Sequence, residues 1–296
     1  MSRSTGRNRT HAAVAALALV FALIAGGCMT GSGTGGARII VNADDVGAHP
    51  AFTDASLEAL ETGRISSASV IVPGPDAERA FGLFEQHPDY ALGVHLALNG
   101  DWAPLTPSSQ APSLVNDRGT MWDTPQEVAA NVRPEEARME FHAQVRAALE
   151  HNVDITHIDG HMGCYFHSPE LFMAALDVAN EHGIPLVAPF LPQHMRRRDR
   201  HLYTVETYTG IYEIPGKAET YENRRRAYRE LLTSLAPGLH YVYSHHGRPG
   251  VPATELPDIE LRINDFDFWT SESARSMLEE IGVEVVEIGE LAHEAK

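Results

Sequence analysis

A parallel α/β domain, closed as a barrel or wound as an open sheet, is the fold this sequence predicts, and three observations predict it. Short runs rich in Val, Ile, Leu and Tyr alternate with helical patterns, as in repeated βα units. The roughly 260 residues after the first 36 suffice for one large core. Four apolar runs end in acids or histidines, at Asn42-Ala43-Asp44-Asp45, Val94-His95, Ile158-Asp159-Gly160-His161 and Tyr243-Ser244-His245-His246. In parallel α/β folds the carboxyl ends of the strands gather on one edge, and ligands bind there.

Strands are expected at 38–42, 68–72, 91–98, 153–158, 185–188, 239–244 and 284–288, where β-branched and aromatic residues suit a pleated, buried surface. Helices are expected at 52–62, 76–86, 134–150, 168–182, 218–235 and 270–282. Arg133-Pro134-Glu135-Glu136 and Ser168-Pro169-Glu170 mark helix starts, since proline fits the first turn and acids favour its dipole. Asn180-Glu181-His182-Gly183 and Glu280-Ile281-Gly282 mark stops, with glycine free to adopt the left-handed cap. Two connections are long. Residues 99–133 hold Trp102, Trp122 and four prolines, and residues 189–217 hold Arg196-Arg197-Arg198. Such lengths suit functional lids or solvated excursions, and the arginines suit an anionic group or a charged loop face.

Residues 1–28 read as a leader and stand outside the fold. Arg3, Arg7 and Arg9 precede an apolar stretch, Ala12 to Ile24, that is short for a bilayer. It ends in Ala25-Gly26-Gly27-Cys28, which resembles a bacterial lipobox, so Cys28 is expected to carry lipid and become the N-terminus. An ordinary cleaved secretory signal is the alternative. Residues 29–37 then form a flexible Gly- and Ser-containing tether, and 38–296 the folded β/α domain. The expected location is a bacterial cell envelope, with membrane contact only through the lipid. The chain has 40 acidic against 23 basic residues, which argues against nucleic acid as a partner. Cys164 is the one cysteine besides Cys28, so no disulfide staples the domain.

Acids at the end of an apolar strand are costly unless they bind something, and a metal or a reacting water is the usual reason. One carboxylate and two imidazoles make a three-ligand site with open positions for water and substrate. Asp44, Asp45, His95, His161 and His245 all fall on the predicted edge. Adjacent residues of an extended strand point to opposite faces, so Asp44 and Asp45 are expected to divide their roles with help from a turn at Val46-Gly47. One would bind metal and the other would take a proton from water. Asp-Asp-x-Gly also makes turns and helix caps, and a strand histidine such as His95 is also found as a satisfied core residue. Asp159 is a candidate for orienting a ligand histidine, and His157 for a supporting role. His49, His167 and His246 lie near the same edge.

These residues resemble the YdjC/ChbG-like carbohydrate deacetylases across most of the chain from Arg38 onward. Val41-Asn42-Ala43-Asp44-Asp45-Val46-Gly47 is similar to the family's N-A-D-D-F-G opening, with Val46 in place of the aromatic. Gly93-Val94-His95-Leu96-Ala97-Leu98 is similar to G-x-H-L-x-L, and Thr156-His157-Ile158-Asp159-Gly160-His161 to T-H-x-D-[SG]-H. The resemblance implies an irregular TIM-like β/α barrel and hydrolysis of N-acetyl groups on amino sugars with one divalent metal. It implies Asp45, His95 and His161 as metal ligands, Asp44 as general base and His245 as general acid. Ser244-His245-His246-Gly247 stands where the family has a Cys-His-Pro-Gly-like element, so proline is replaced by His246. Met162-Gly163-Cys164 stands where members often carry further histidines. Arg262 and Asp267-Phe268-Trp269-Thr270-Ser271 match a C-terminal element to which the sequence assigns no role.

The expected function is therefore metal-dependent removal of N-acetyl groups from an amino sugar or glycoconjugate. Hydrolysis of another ester or amide by the same site is the alternative, and a glycan-binding lipoprotein without turnover the second. A two-histidine, one-carboxylate site suits Zn²⁺, Mg²⁺, Mn²⁺ and Co²⁺ alike.

Overall fold

The computed structural model describes residues 36–189, 202–211 and 220–290. Nine strands lie in one sheet: β1 (Ala37–Val46), β2 (Ser67–Val70), β3 (Leu92–Leu96), β4 (Ile155–Gly160), β5 (Leu186–Pro189), β6 (Leu202–Val205), β7 (Thr207–Thr209), β8 (Gly238–His245) and β9 (Glu284–Val285). Every pairing is parallel. Eight α-helices are described: α1 (Pro50–Leu60), α2 (Ala77–Phe84), α3 (Pro125–Asn131), α4 (Pro134–Leu149), α5 (Pro169–His182), α6 (Tyr221–Ser234), α7 (Ile259–Thr270) and α8 (Glu272–Ile281). None of the described helices is long and apolar enough to cross a membrane.

The strand order is β6-β5-β4-β3-β2-β1-β8-β7, so β6 and β7 occupy the two ends of the sheet. They are separated in sequence only by Glu206. Residues 202–209 thus act as one stave, pairing with β5 through their first half and with β8 through their second. That seam nearly closes the sheet into an irregular seven-staved β/α barrel and removes the exposed edges an open sheet would carry. Of the two folds the alternation allowed, the barrel is the one formed. β9 pairs with Arg38 and Ile39, below the stretch of β1 that β2 occupies.

Strand alternation sorts the core into two layers. Ile39, Val41 and Ala43 pack outward with helix residues such as Ala55, Phe81 and Phe141. Ile40 faces inward with Val187, Val205, Leu239 and Tyr241, a cluster to which no α-helix contributes a buried residue. Phe81, Phe84, Phe141 and Trp269 are fully buried, each ring contributing on the order of 2 kcal/mol. Ser168 caps α5 ahead of Pro169, and Gly183 ends it at φ 68°, as the sequence predicts.

Differences from the expected elements have local causes. The stave at 202–209 is too short and too polar to stand out from a connection. Helix α7 escapes an apolar periodicity because its buried face, Ile259, Arg262, Asp265, Phe266 and Trp269, is partly charged. Helix α3 lies inside the first long connection, started by a capping box between Thr124 and Glu127. That connection and the end of β3 before it are held to α4 by three buried side chains one turn apart. Glu136 Oε2 accepts from Ser113 N at 2.7 Å, and Glu140 accepts from Leu105 N at 3.0 Å and Thr106 N at 2.7 Å. Gln144 brackets Ala97, accepting from its N–H at 3.0 Å and donating to its carbonyl at 2.7 Å. Arg196-Arg197-Arg198 and residues 1–35 lie outside the described residues.

Candidate metal and catalytic site

The site begins with a bulge at the end of β1. Ala43 is in register with Ala68 of β2 and Val46 with Val70, so β1 spends three steps where β2 spends two. Asp45 takes up the extra residue at φ 66°, in the left-handed region that L-residues seldom adopt and aspartate tolerates better than most. Regular alternation would turn Asp44 inward with Ile40 and Asn42 and send Asp45 outward. The bulge brings both in, and it does so at Asp45 itself, one residue before the turn expected at Val46-Gly47. Gly47 follows at φ 83°, and a Cβ there would lie 2.9 Å from the Val70 side chain.

Asp45 is the hub. Its Oδ1 lies 3.0 Å from His161 Nδ1 and 3.5 Å from His95 Nε2. Its Oδ2 accepts from Arg262 Nη2 at 2.8 Å and lies 3.8 Å from His245 Nε2. Asp44 sits deeper, with Oδ1 accepting from Asn42 Nδ2 at 2.7 Å and Oδ2 3.7 Å from His95 Nε2. All five predicted residues therefore meet at one edge of the barrel.

A buried polar layer below fixes their orientation. Asp159 Oδ1 accepts from His95 Nδ1 at 2.8 Å, which directs Nε2 toward Asp44 and Asp45. Asp159 Oδ2 accepts from Tyr241 Oη at 2.9 Å and Ser69 Oγ at 3.0 Å, so this carboxylate is itself clamped. His157 lies beneath Gly93, where a Cβ would fall 2.5 Å from its ring, and contacts Thr156 Oγ1 at 2.9 Å. Burial first, then His95, lowers His157 to about 4 against the pull of Asp159, so it is a neutral barrel residue.

Helix α7 supplies the residues whose role the sequence did not reveal. Arg262 bonds Asp258 through Nε at 2.7 Å while reaching Asp45, and its guanidinium covers the Phe52 ring at 3.9 Å. One turn on, Asp265 accepts from the His245 backbone N–H at 3.1 Å and from Tyr228 Oη at 2.7 Å. Fully buried Arg224 of α6 pairs with Asp265 at 2.6 Å. The periodicity of Arg262 and Asp265 with Ile259, Phe266 and Trp269 was the available signal. Two other histidines near this edge make local contacts. His49 caps α1, accepting from Ala51 N at 3.0 Å, and His246 is buried against Ser244 Oγ at 2.7 Å.

The electrostatics separate the two aspartates. Burial opposes the charge on Asp45, yet Arg262, His161 and His245 outweigh it and hold its carboxyl well below the usual range. Burial, with Asp159 and Asp45 nearby, raises Asp44 well above that range against the pull of His95. His95 would lose its proton to burial alone, but Asp159 and Asp44 raise it to about 10. A field that holds a proton on a buried imidazole also favours a divalent cation in its place. For His245, burial outweighs Asp45 and, with Arg262, lowers the ring to about 3.

A metal ion fits this donor set. Among the described residues two trios offer ligand atoms within 4.8 Å of one another, Asp45-His95-His161 and Asp44-His95-Asp159. The second is saturated by its own hydrogen bonds to Asn42, Ser69 and Tyr241. The first includes His161, whose side chain is 13% exposed and so leaves a way in for water and substrate.

The family model described as YdjC-like protein matches residues 38–280. Among curated relatives, a carbohydrate deacetylase of Brevibacillus brevis is 32% identical over 163 residues, covering 55% of this chain and 64% of that protein. A carbohydrate deacetylase of Vibrio parahaemolyticus is 31% identical over 186 residues, 60% of this chain and 69% of its own. A chitooligosaccharide deacetylase of Serratia marcescens is 30% identical over 151 residues, 50% of this chain and 58% of its own. The chain thus matches less than two thirds of the length of most of these relatives. A solved structure from Enterococcus faecalis V583, described in terms of cellobiose-phosphate cleavage, covers 86% of this chain and 99% of its own at TM-score 0.73 and 23% identity. That likeness concerns the fold.

Proposed function

The chain belongs to the YdjC-like protein family, and on that premise we propose that it is a metal-dependent hydrolase removing acetyl groups from N-acetylated amino sugars. The observation that carries the reading is the Asp44 carboxylate, buried and raised in pKa, beside a three-ligand set with one partly exposed member, His161. The names of the relatives, carbohydrate and chitooligosaccharide deacetylases, support the substrate class.

Asp45, His95 and His161 would hold the metal, which when bound supplies Lewis acidity to the acetamide carbonyl and lowers the pKa of water. Asp44 takes the proton from the attacking water, a transfer its raised pKa favours. Asp159 holds His95 in one tautomer, and Arg262 keeps Asp45 ionised. His245 faces the opposite oxygen of Asp45 and serves the leaving amine. It rests neutral, so it takes up a proton from solvent as negative charge develops on the substrate and passes that proton to the amine as it departs. Cys28, within Ala25-Gly26-Gly27-Cys28, would tether the enzyme by lipid to a bacterial envelope membrane.

The test is acetate release from a panel of N- and O-acetylated sugars, paired with elemental analysis of the purified protein. Release from N-acetylated sugars, abolished in Asp44→Asn with metal retained and in His95→Ala with metal lost, is expected. Turnover of O-acetyl esters alone would move the assignment to a different bond. Substrate binding without acetate under every supplied metal would make the protein a glycan binder.

A further inference from the structure

We infer that Trp102 and Met162 form the wall on which the apolar face of the substrate's sugar ring lies. Both adjoin His161. The Trp102 ring stands 5.5 Å from the His161 ring, edge-on at 63°. Met162 follows His161 directly, is 52% exposed, and sits at φ 49°, a conformation an unbranched L-residue keeps only when its surroundings impose it.

Each of the two side chains is held in place. Asn99 Nδ2 donates to Met162 Sδ at 3.1 Å, tying the turn after β4 to the segment after β3 that carries Trp102. Gly100 has φ 128°, and a Cβ on it would lie 2.3 Å from the Trp102 ring, so the indole rests directly on its own loop. Trp102 O accepts from Met121 N at 2.8 Å, and the ring backs onto a cluster of Ile71, Ala97 and Met121. The same loop is pinned to α4 by Glu140 a few residues on.

A partly exposed indole and an exposed thioether beside buried carboxylates and imidazoles make an amphipathic rim. The matching ligand has an apolar face and a polar edge. A pyranose is such a ligand: its axial C–H bonds present an apolar face, its hydroxyls a polar rim, and an acetamide projects from that rim. With the face on Trp102, the acetamide reaches the residues around His161. An acetylated amine without a ring has no such face and would leave the wall wet. The contact is made equally in ground and transition states, so it lowers KM without raising kcat. The identity of the acetamide rests on the proposed reaction; the wall does not.

The test uses the full chain loaded with metal and chitotriose as probe, read by tryptophan fluorescence and by acetate release. The chain has three tryptophans, of which Trp269 is fully buried and Trp122 donates to Ser113 O at 2.8 Å. A saturable fluorescence change is expected in the wild type and should vanish in Trp102→Phe, which keeps a ring and binds within about threefold by calorimetry. Trp102→Ala should raise KM about tenfold for the sugar while kcat stays within threefold. A fluorescence change that survives in Trp102→Phe, or a KM in Trp102→Ala within twofold of wild type, would overturn the wall while leaving deacetylation standing. The fluorescence change without acetate would support the wall and count against the proposed reaction.

Discussion

Replacing Asp159 with asparagine should weaken divalent metal binding 10- to 100-fold, or about 1.4 to 2.7 kcal/mol, although Asp159 is not a proposed ligand. The reason lies in one hydrogen bond. Asp159 Oδ1 takes the His95 Nδ1 proton at 2.8 Å, and its negative charge makes Nε2 more basic. Asparagine keeps the shape and can still accept that proton. Its amide would then face the Tyr241 and Ser69 hydroxyls, which can rotate to accept, so the fold should survive. What disappears is the charge. In the metal-free protein the His95 pKa should fall from about 10, because Asp159 is the strongest of the groups that raise it. Zinc titration by calorimetry at fixed pH, with NMR titration of the His95 ring, reads both effects. A folded Asp159→Asn protein that binds zinc within twofold of wild type would refute the claim that this carboxylate tunes the ligand.

Other outcomes follow from other parts of the molecule. Arg224→Met leaves the fully buried Asp265 without its cation and should cost about 3 to 5 kcal/mol in urea unfolding; a loss under 1 kcal/mol would mean the pair is not structural. His157 is lowered to about 4 from an unfolded value near 6.5, so below pH 6.5 the unfolded state binds the extra proton. Its share of stability is present above pH 6.5 and lost as pH falls toward 4, by about 3 kcal/mol at most, and His157→Gln should flatten that slope. Cys28→Ser should move the protein from the membrane fraction to the soluble one and abolish palmitate incorporation; unchanged fractionation would exclude lipid as the anchor.

Much of this site was legible in the sequence because its parts sit at or near strand ends, with Asp44, His161 and His245 where apolar runs stop and His95 one residue before the end of β3. Strand order was not needed for that, since every parallel strand delivers its carboxyl end to the same side. The rule of alternation was less faithful. It sent Asp44 and Asp45 to opposite faces, and both turn inward, because a period of two cannot register the residue that the bulge inserts. Arg262 and Asp265 were illegible for a different reason. Charged side chains on a helix read as solvated, and only the tertiary partners Asp45, Arg224 and the His245 backbone explain why these two are buried. The seam at 202–209 was missed because closure of a barrel is a property of both sheet ends, not of the eight residues that achieve it.

The bulge also bears on how this candidate site can be lost. A substitution at Asp44 or Asp45 removes one carboxylate and leaves the backbone path intact. A deletion of either does more, because β1 would regain even steps against β2 and the surviving acid would be set by parity alone. Removing either aspartate leaves the same sequence, with one acid facing inward at the place of Asp44, and the valine after it keeps its partner Val70. A family member one residue shorter here could therefore keep the register of β1 on β2 and one inward acid, while losing the left-handed residue that turns a second acid inward.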